Sequence, residues 1–388
     1  MRKLATTSTL LLAATALCGA TIQTNAADDY LVGLIAGTTG AYGSTGVATV
    51  NGSQMAVDEV NAAGGVDGHM FKLDPHNDNA SATLSGQLYQ KLMSAGAIVI
   101  AGSPDTGPVT AQLAERHKFP SIGVVDDGGL TVNPNGPTSP PNPWVFDFGL
   151  NTFAWGEKIG EHALKHCPDG LAVLHDPSTY GQGGLFGIQL AYDKAGKKIA
   201  MDHAITENWS TGATAGLMPE VNAIKAAGIK CVDVWLTPQD QAAFMQDLHS
   251  IGYDAIVYGN DETNADDTFA KLAGDLSDGM ITAMLTTELH PSPELLAFRD
   301  AYKKKFGVDA TPFSAGAYDS IKMLAQVIKD VKSTKPADLQ KGFNAVKDFK
   351  GMTGKIGFSE SSHITITAAQ VTLVKHDAKS KSWVEVTD

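Results

Sequence analysis

From residue 30 onward, short apolar runs alternate with amphipathic stretches. "YLVGLIA", "MFKLD", "AIVIAG" and "FPSIGVV" read as strands. Between them "VATVNGSQMAVDEVNAAGG", "SATLSGQLYQKLMSAG" and "GPVTAQLAERHK" read as helices. In the first helix Val50, Val57 and Val60 share a face and Gly64 is its stop; in the second Leu84, Leu88 and Leu92 recur at i+4. Apolar strands separated by amphipathic helices require a parallel sheet covered on both faces. The fold class is therefore α/β.

The pattern breaks once. "TVNPNGPTSPPNPW", residues 131–144, has no periodicity and reads as a loop at or near a domain boundary. The alternation then restarts with "WVFDFG", a helix over 152–166 and the strand "LAVLHD". It continues through "CVDVWLT", "AIVYGN" and "GMITAML", followed by helices near 293–306 and 315–331 and the closing strands in "AAQVTLVKHD" and "SWVEVTD". A chain of 388 residues exceeds what one core usually spans, so two α/β units are expected. Trp144, Phe146 and Phe148 should share one face of a strand and pack in a core, whereas one of Phe153 and Trp155 is a candidate pocket wall.

The first 27 residues differ from the rest. Arg2 and Lys3 precede "LATTSTLLLAATALCGA", and small residues precede Asp28. This reads as a signal peptide cut after Ala26 or Ala27, with a retained anchor as the alternative. Leu17 before Cys18 argues against lipid attachment. No later run reaches 18 apolar residues, so a soluble exported protein is expected, located in the periplasm. The net charge of −13 opposes nucleic-acid and anionic-lipid binding. Two cysteines remain, Cys167 and Cys231, each just before an apolar strand. Neighbouring parallel strands would bring them into a disulfide; two separate thiols are the alternative.

"LIAGTTGAYGSTG", residues 34–46, places glycines at 37, 40, 43 and 46. A phosphate loop needs GxxxxGK[ST], yet no Lys or Arg occurs between Asp28 and Lys72, and the spacing is not G-x-G-x-x-G. The loop suits a neutral or singly charged ligand facing backbone N–H groups. The chain contains no GxSxG, HExxH or CxxC, and its histidines show no metal-ligand spacing. "DPHNDNAS" lacks the order of a calcium loop and reads as a polar turn. "ETNADD" could bind a cation or cap a helix. No cofactor and no metal are expected.

In open α/β sheets, ligands lie beyond the carboxyl ends of the strands. Those ends are "GTTGAYGS", "AGSPDTGP" with Asp105 and Thr106, "GVVDDGGL", "HDPSTYGQGG", "LTPQDQ" with Thr237, and "YGNDETN". Three belong to each unit, and a cleft between the units would gather them.

The stretches "GAYGSTGVATVNGSQMAVDEVNAAGGVDG", "NDNASATLSGQLYQKLMSAGAIVIAGSPDTGPVTA", "HDPSTYGQGG", "YGND" and "FKGMTGKIGFSE" resemble the substrate-binding proteins of branched-chain amino-acid ABC importers. The resemblance runs nearly end to end. It implies the type I periplasmic-binding-protein fold: two doubly wound parallel-sheet domains joined by three hinge strands. The implied lobes are 28–143 with 288–348, and 144–287 with 349–388, with crossings after the proline-rich loop, near 286–290 and near 346–352. Tyr42 would sit at the cleft mouth. Ser103 would hold a ligand carboxylate, the Val125 carbonyl would receive an ammonium, Tyr180 would face the ligand, and Asp261 would pair with the ammonium beside Glu262. Phe313 matches a family aromatic. Asp127 stands where the family places a carboxylate-binding hydroxyl, with Asp126 and Asp147 adding negative charge. If these acids face the ligand, a cationic or hydroxyl-rich solute is favoured; if they cap helices, an amino acid remains possible.

The implied function is an exported solute-binding protein, not an enzyme. It would act as a monomer, with a small-molecule solute and the ABC permease as partners. The rival readings are a ligand sensor of the same fold and a metal-dependent hydrolase using Asp126, Asp127 or Asp261.

Overall fold

The computed structural model describes residues 28–40, 43–102, 105–123, 128–206, 216–265 and 267–387. The expected signal peptide lies outside them. The first sheet consists of β1 (Tyr30–Ala36), β2 (Phe71–Asn77), β3 (Val99–Gly102), β4 (Ser121–Gly123) and β5 (Val145–Asp147). All are parallel, in the order β2-β1-β3-β4-β5. Helices α1 (Gly43–Ala62), α2 (Ala82–Ser94), α3 (Gly107–His117) and α4 (Gly128–Val132) connect them. Strand alternation divides the side chains between two cores. Val32, Leu34 and Ala101 pack with Met55 and Val57 of α1. Ile35, Ile100 and Val145 pack on the other face with Leu88, Leu92 and Ala114.

The strand in "WVFDFG", expected to open the second unit, completes the first: β5 pairs with β4, Ser121 opposite Val145. Trp144 also departs from expectation. Phe146 and Phe148 are buried in the α1-side core, but Trp144 precedes the strand and packs on the opposite cluster.

The second unit runs through α5 (Thr152–His166), β6 (Leu171–His175), α6 (Thr179–Lys194), β7 (Met201–Ala204), α7 (Met218–Ala227), β8 (Cys231–Trp235), α8 (Pro238–Ser250), β9 (Ile256–Gly259), α9 (Thr268–Ala273) and β10 (Ile281–Leu285). The chain then returns to the first unit. It passes through the short α10 (Thr286–Leu289) into α11 (Pro293–Phe306), whose Lys305 pairs with Asp58 of α1. Next come α12 (Pro312–Val331), α13 (Pro336–Ala345) and the hairpin of β11 (Phe349–Gly351) and β12 (Gly354–Ile356). Asp319 of α12 accepts from the Met352 and Thr353 N–H groups and so ties the hairpin down. Burial raises the Asp319 carboxyl to about 7.

The return to the second unit comes later than 346–352. Phe358 packs edge-on against Phe146, and the ring of His363 stacks on Phe146 at 4.2 Å. Asp147 N–H donates to His363 O at 2.9 Å. The last crossing therefore follows Ile364 and runs beside the first: Asn151 Nδ2 donates to Ile366 O at 2.8 Å. Residues 349–364 are held to the first unit because these aromatic and hydrogen-bond partners lie there. Beyond the crossing, β13 (Val371–Asp377) and β14 (Ser382–Glu385) add antiparallel to β10. The second sheet reads β14-β13-β10-β9-β8-β6-β7. Without its antiparallel pair it repeats the strand order of the first, so each unit has a topological switch point beside its first strand.

Cys167 at the end of α5 and Cys231 at the start of β8 are joined by a disulfide, with Cα atoms 5.8 Å apart.

Candidate functional site

Of the residues singled out from sequence, Tyr42, Ser103, Val125, Asp126 and Asp127 lie outside the described residues. The others divide between scaffold and cleft. On the first unit, Gly37 and Gly46 after β1 serve close packing. A Cβ on Gly46 would overlap the carbonyl of Gly37, and one on Gly37 would lie 2.6 Å from Asp105 Oδ2. The loop is braced from the "DPHNDNAS" turn. Asn77 Oδ1 accepts from Thr38 N–H, and Asn79 Oδ1 accepts from the Thr39 hydroxyl. Thr106 is buried and its hydroxyl donates to Asp78 Oδ2 at 2.7 Å, with Ser85 Oγ at 2.9 Å. That hydroxyl is thus committed to holding the α2 and α3 starts together. Thr237 is likewise the N-cap of α8, its hydroxyl accepting from Asp240 N–H. Phe313 is buried in the first turn of α12 as part of the core.

Two predicted residues meet. Tyr180, two residues after the N-cap Ser178 of α6, donates its hydroxyl to Asp261 Oδ1 at 2.7 Å. Asp261 follows β9 in a single 3-10 turn, Asp261–Thr263, and is 1% exposed. Its Oδ2 has no hydrogen-bond partner among the described residues. Burial pushes this carboxyl up to about 7, against the lowering effect of the Tyr180 hydrogen bond. Among the described residues no cationic side chain pairs with it, and an ionised carboxylate so placed is costly unless a cation arrives.

The turn is held by side chains that sequence reading missed. Asn260 Nδ2 donates to Leu236 O, and Gln241 Nε2 donates to Asn260 Oδ1, both at 2.8 Å. Thr263 donates to Gln241 Oε1 at 2.6 Å and Thr282 to Asn260 O at 2.6 Å. These bonds fix Asp261 before any ligand arrives. Tyr180 is fixed by Trp235, whose ring lies edge-on at 5.5 Å and whose Nε1 donates to the buried Asp233. The amides of "YGND" and "LTPQDQ" were the available signal for this brace.

Asp261 opens on a cavity of about 160 Å³ lined from both units. The second unit contributes Trp155, Asn264, Ala265 and Met284, and the returning segment contributes Ala310, Thr311 and Pro312. Trp155 is thus the pocket wall of the pair weighed from sequence. Its indole N–H donates to Ala283 O at 2.9 Å. Glu288 also lines the cavity, its carboxyl raised by burial and paired with Arg299. Among the described residues no group of three or more His, Cys, Asp and Glu is arranged to hold a metal ion.

Comparison with known proteins agrees with this architecture. A leucine-, isoleucine-, valine-, threonine- and alanine-binding protein of Pseudomonas aeruginosa is 25% identical over 363 residues, covering 91% of this chain and 92% of that one. A type 1 periplasmic binding protein of Bordetella pertussis superposes with a TM-score of 0.81 at 19% identity, covering 93% of this chain and all of the other. An ABC-transporter solute-binding protein of Rhodopseudomonas palustris, solved with 3,4-dihydroxybenzoic acid, gives 0.74 at 21%, covering 92% of this chain and 96% of its own. The two structural likenesses are ones of fold. The sequence model described as "Periplasmic binding protein" matches residues 30–380, and the chain belongs to that family.

Proposed function

We propose that this protein is the solute receptor of an ABC importer and binds a small ammonium-bearing solute between its two units. The observation that carries the reading is the buried Asp261 carboxylate at the wall of the cavity, with one oxygen on Tyr180 and the other without a hydrogen-bond partner among the described residues. A cation there gains a charge-assisted hydrogen bond in a site already desolvated. The amino-acid ligands in the name of the Pseudomonas relative agree with this chemistry. Ligand binding would close the units about the three crossings, and the closed form would deliver its cargo to a membrane permease. The chain makes and breaks no bond in this role. It would work in the periplasm after removal of residues 1–27, as a monomer.

A thermal-shift panel of amino acids, amides, urea-like solutes and aromatic acids tests the reading. A specific ligand at about 100-fold excess over its Kd adds ~2.7 kcal/mol of stability. The stabilising compounds should carry an ammonium, and Asp261→Asn should abolish their effect. Stabilisation confined to anions without an amine would overturn the proposal.

A further inference from the structure

The Tyr180–Asp261 pair has a support deeper in the second unit. We infer that Asp233 is a positioning residue for the site: its carboxylate pins the Trp235 indole, and the indole holds Tyr180 where it bonds Asp261. The inference rests on Asp261 being the acid that meets the solute. Strand alternation turns Cys231, Asp233 and Trp235 to one face of β8, and Val232 and Val234 to the other. A strand buried on both faces is normally apolar, yet Asp233 lies fully buried at the centre of this one. Its Oδ2 accepts from Trp235 Nε1 at 2.7 Å, and its Oδ1 has no hydrogen-bond partner among the described residues. A carboxylate so placed is costly. What it supplies is a charge-assisted acceptor for an indole N–H, a group that only donates.

The indole in turn touches α6 at two points. At Gly184 a Cβ would come within 2.1 Å of Trp235 Cδ2 and Cε2, so the ring lies directly on the helix backbone. Four residues earlier, on the same helix face, Tyr180 meets the indole edge-on at 5.5 Å and donates to Asp261 Oδ1 at 2.7 Å. Without the carboxylate the indole N–H loses its acceptor, and the ring loses what fixes its rotation behind Tyr180. Tyr192 of α6 and Tyr258 of β9 feel the Asp233 charge, and Tyr258 bonds His162 of α5. Burial and Asp233 both raise these phenols, so they stay neutral through the range that titrates Asp261. The ionisable groups near Asp261 are Tyr180, the adjacent Glu262, and Glu288 on the cavity wall with its partner Arg299.

Carbon-13 NMR titration of the solute-free mature chain, labelled at its aspartate carboxyls, tests this. The Asp261 signal is assigned by its loss in Asp261→Asn. Asp233→Asn keeps a carbonyl oxygen for Trp235, and Asp233→Leu removes it. Both remove the charge, so a difference between them reports the hydrogen bond. The Asp261 midpoint should be higher in Asp233→Leu than in Asp233→Asn by about 0.5 pH unit or more, toward its value in Tyr180→Phe. Equal midpoints overturn the positioning role. Nitrogen-15 spectra of the indoles give a second reading that does not need the leucine variant to fold. The Trp235 signal, assigned by its loss in Trp235→Phe, should move with pH in the wild type and lose most of that movement in Asp233→Asn. Equal movement in both, or none in either, overturns the role as well. Both readings are made without solute, which separates them from the thermal-shift panel. If the panel fails while the midpoints differ, the ammonium reading alone is wrong. If the panel succeeds and the midpoints coincide, the role of Asp233 alone is wrong.

Discussion

Tyr180 and Asp261 are 81 residues apart in sequence, yet the phenol donates to the carboxylate at 2.7 Å in a buried contact. The contact joins the first turn of α6 to the end of β9, the two places where open sheets of this kind present ligands. It also orients the carboxylate. With Oδ1 occupied, Oδ2 is left without a hydrogen-bond partner among the described residues.

Binding should depend on pH through Asp261. Its folded value is raised to about 7 from an ordinary carboxyl value near 4, so the ligand-free protein holds this proton more tightly than the unfolded chain. The linked stability is fully present at low pH and is lost as pH rises from about 4 to 7. A bound ammonium needs the ionised form and expels the proton. Affinity should therefore weaken about a hundredfold between pH 8 and pH 5. Calorimetry at several pH values in buffers of different ionisation enthalpy would count the released proton. A flat profile in the wild type would remove Asp261 from the site.

Tyr180→Phe should shift that profile. The lost hydroxyl is what lowers the Asp261 value, so its midpoint should climb by about one pH unit. At pH 7 affinity should fall about fivefold, and most of it should return by pH 8.5. Equal loss at both pH values would mean that the phenol contacts the ligand and does not tune the acid.

Much of this architecture was legible in the sequence. Mainly apolar strands such as "YLVGLIA" in the first sheet and "LAVLH" in the second announced both parallel sheets, because burial on both faces leaves few polar positions. α13 was missed although Pro336 opens it and Leu339 and Phe343 bury at i+4, because ten residues offered one apolar pair. α4 spans five residues and begins with two glycines, which carry no helical signal. The assignment of "WVFDFG" to a unit depends on which strand edge is open, and nothing local encodes that. Asp261 and Tyr180 were reached through the family resemblance. The brace of Gln241, Asn260 and Thr263 exists only once β8 and β9 lie side by side.

Gly184→Ala should damage both stability and binding. A Cβ at this position would overlap the indole of Trp235, which is fully buried and packs against Tyr180. Overfilling of this kind costs about 1–3 kcal/mol. Urea unfolding should show that loss. The displaced Trp235 should also release Tyr180, so ligand affinity should fall more than at an equally destabilising site far from α6. An unchanged Kd would show that Trp235 does not position Tyr180.

The disulfide should matter for stability alone. Cys231 is the first residue of β8, whereas Thr237 and Asp261 lie beyond the opposite ends of β8 and β9. The bond closes a sequence separation of 64 residues, for which unfolded-chain entropy alone gives about 4 kcal/mol. Cys167→Ser with Cys231→Ser, or reduction of the native pair, should lower the urea midpoint accordingly. Folded protein should remain, because three hydrophobic clusters persist without the bond. Its Kd should match that of the oxidised form. A large loss of affinity in folded, reduced protein would show that strain passes along β8 from the Cys231 end to the Asp261 turn.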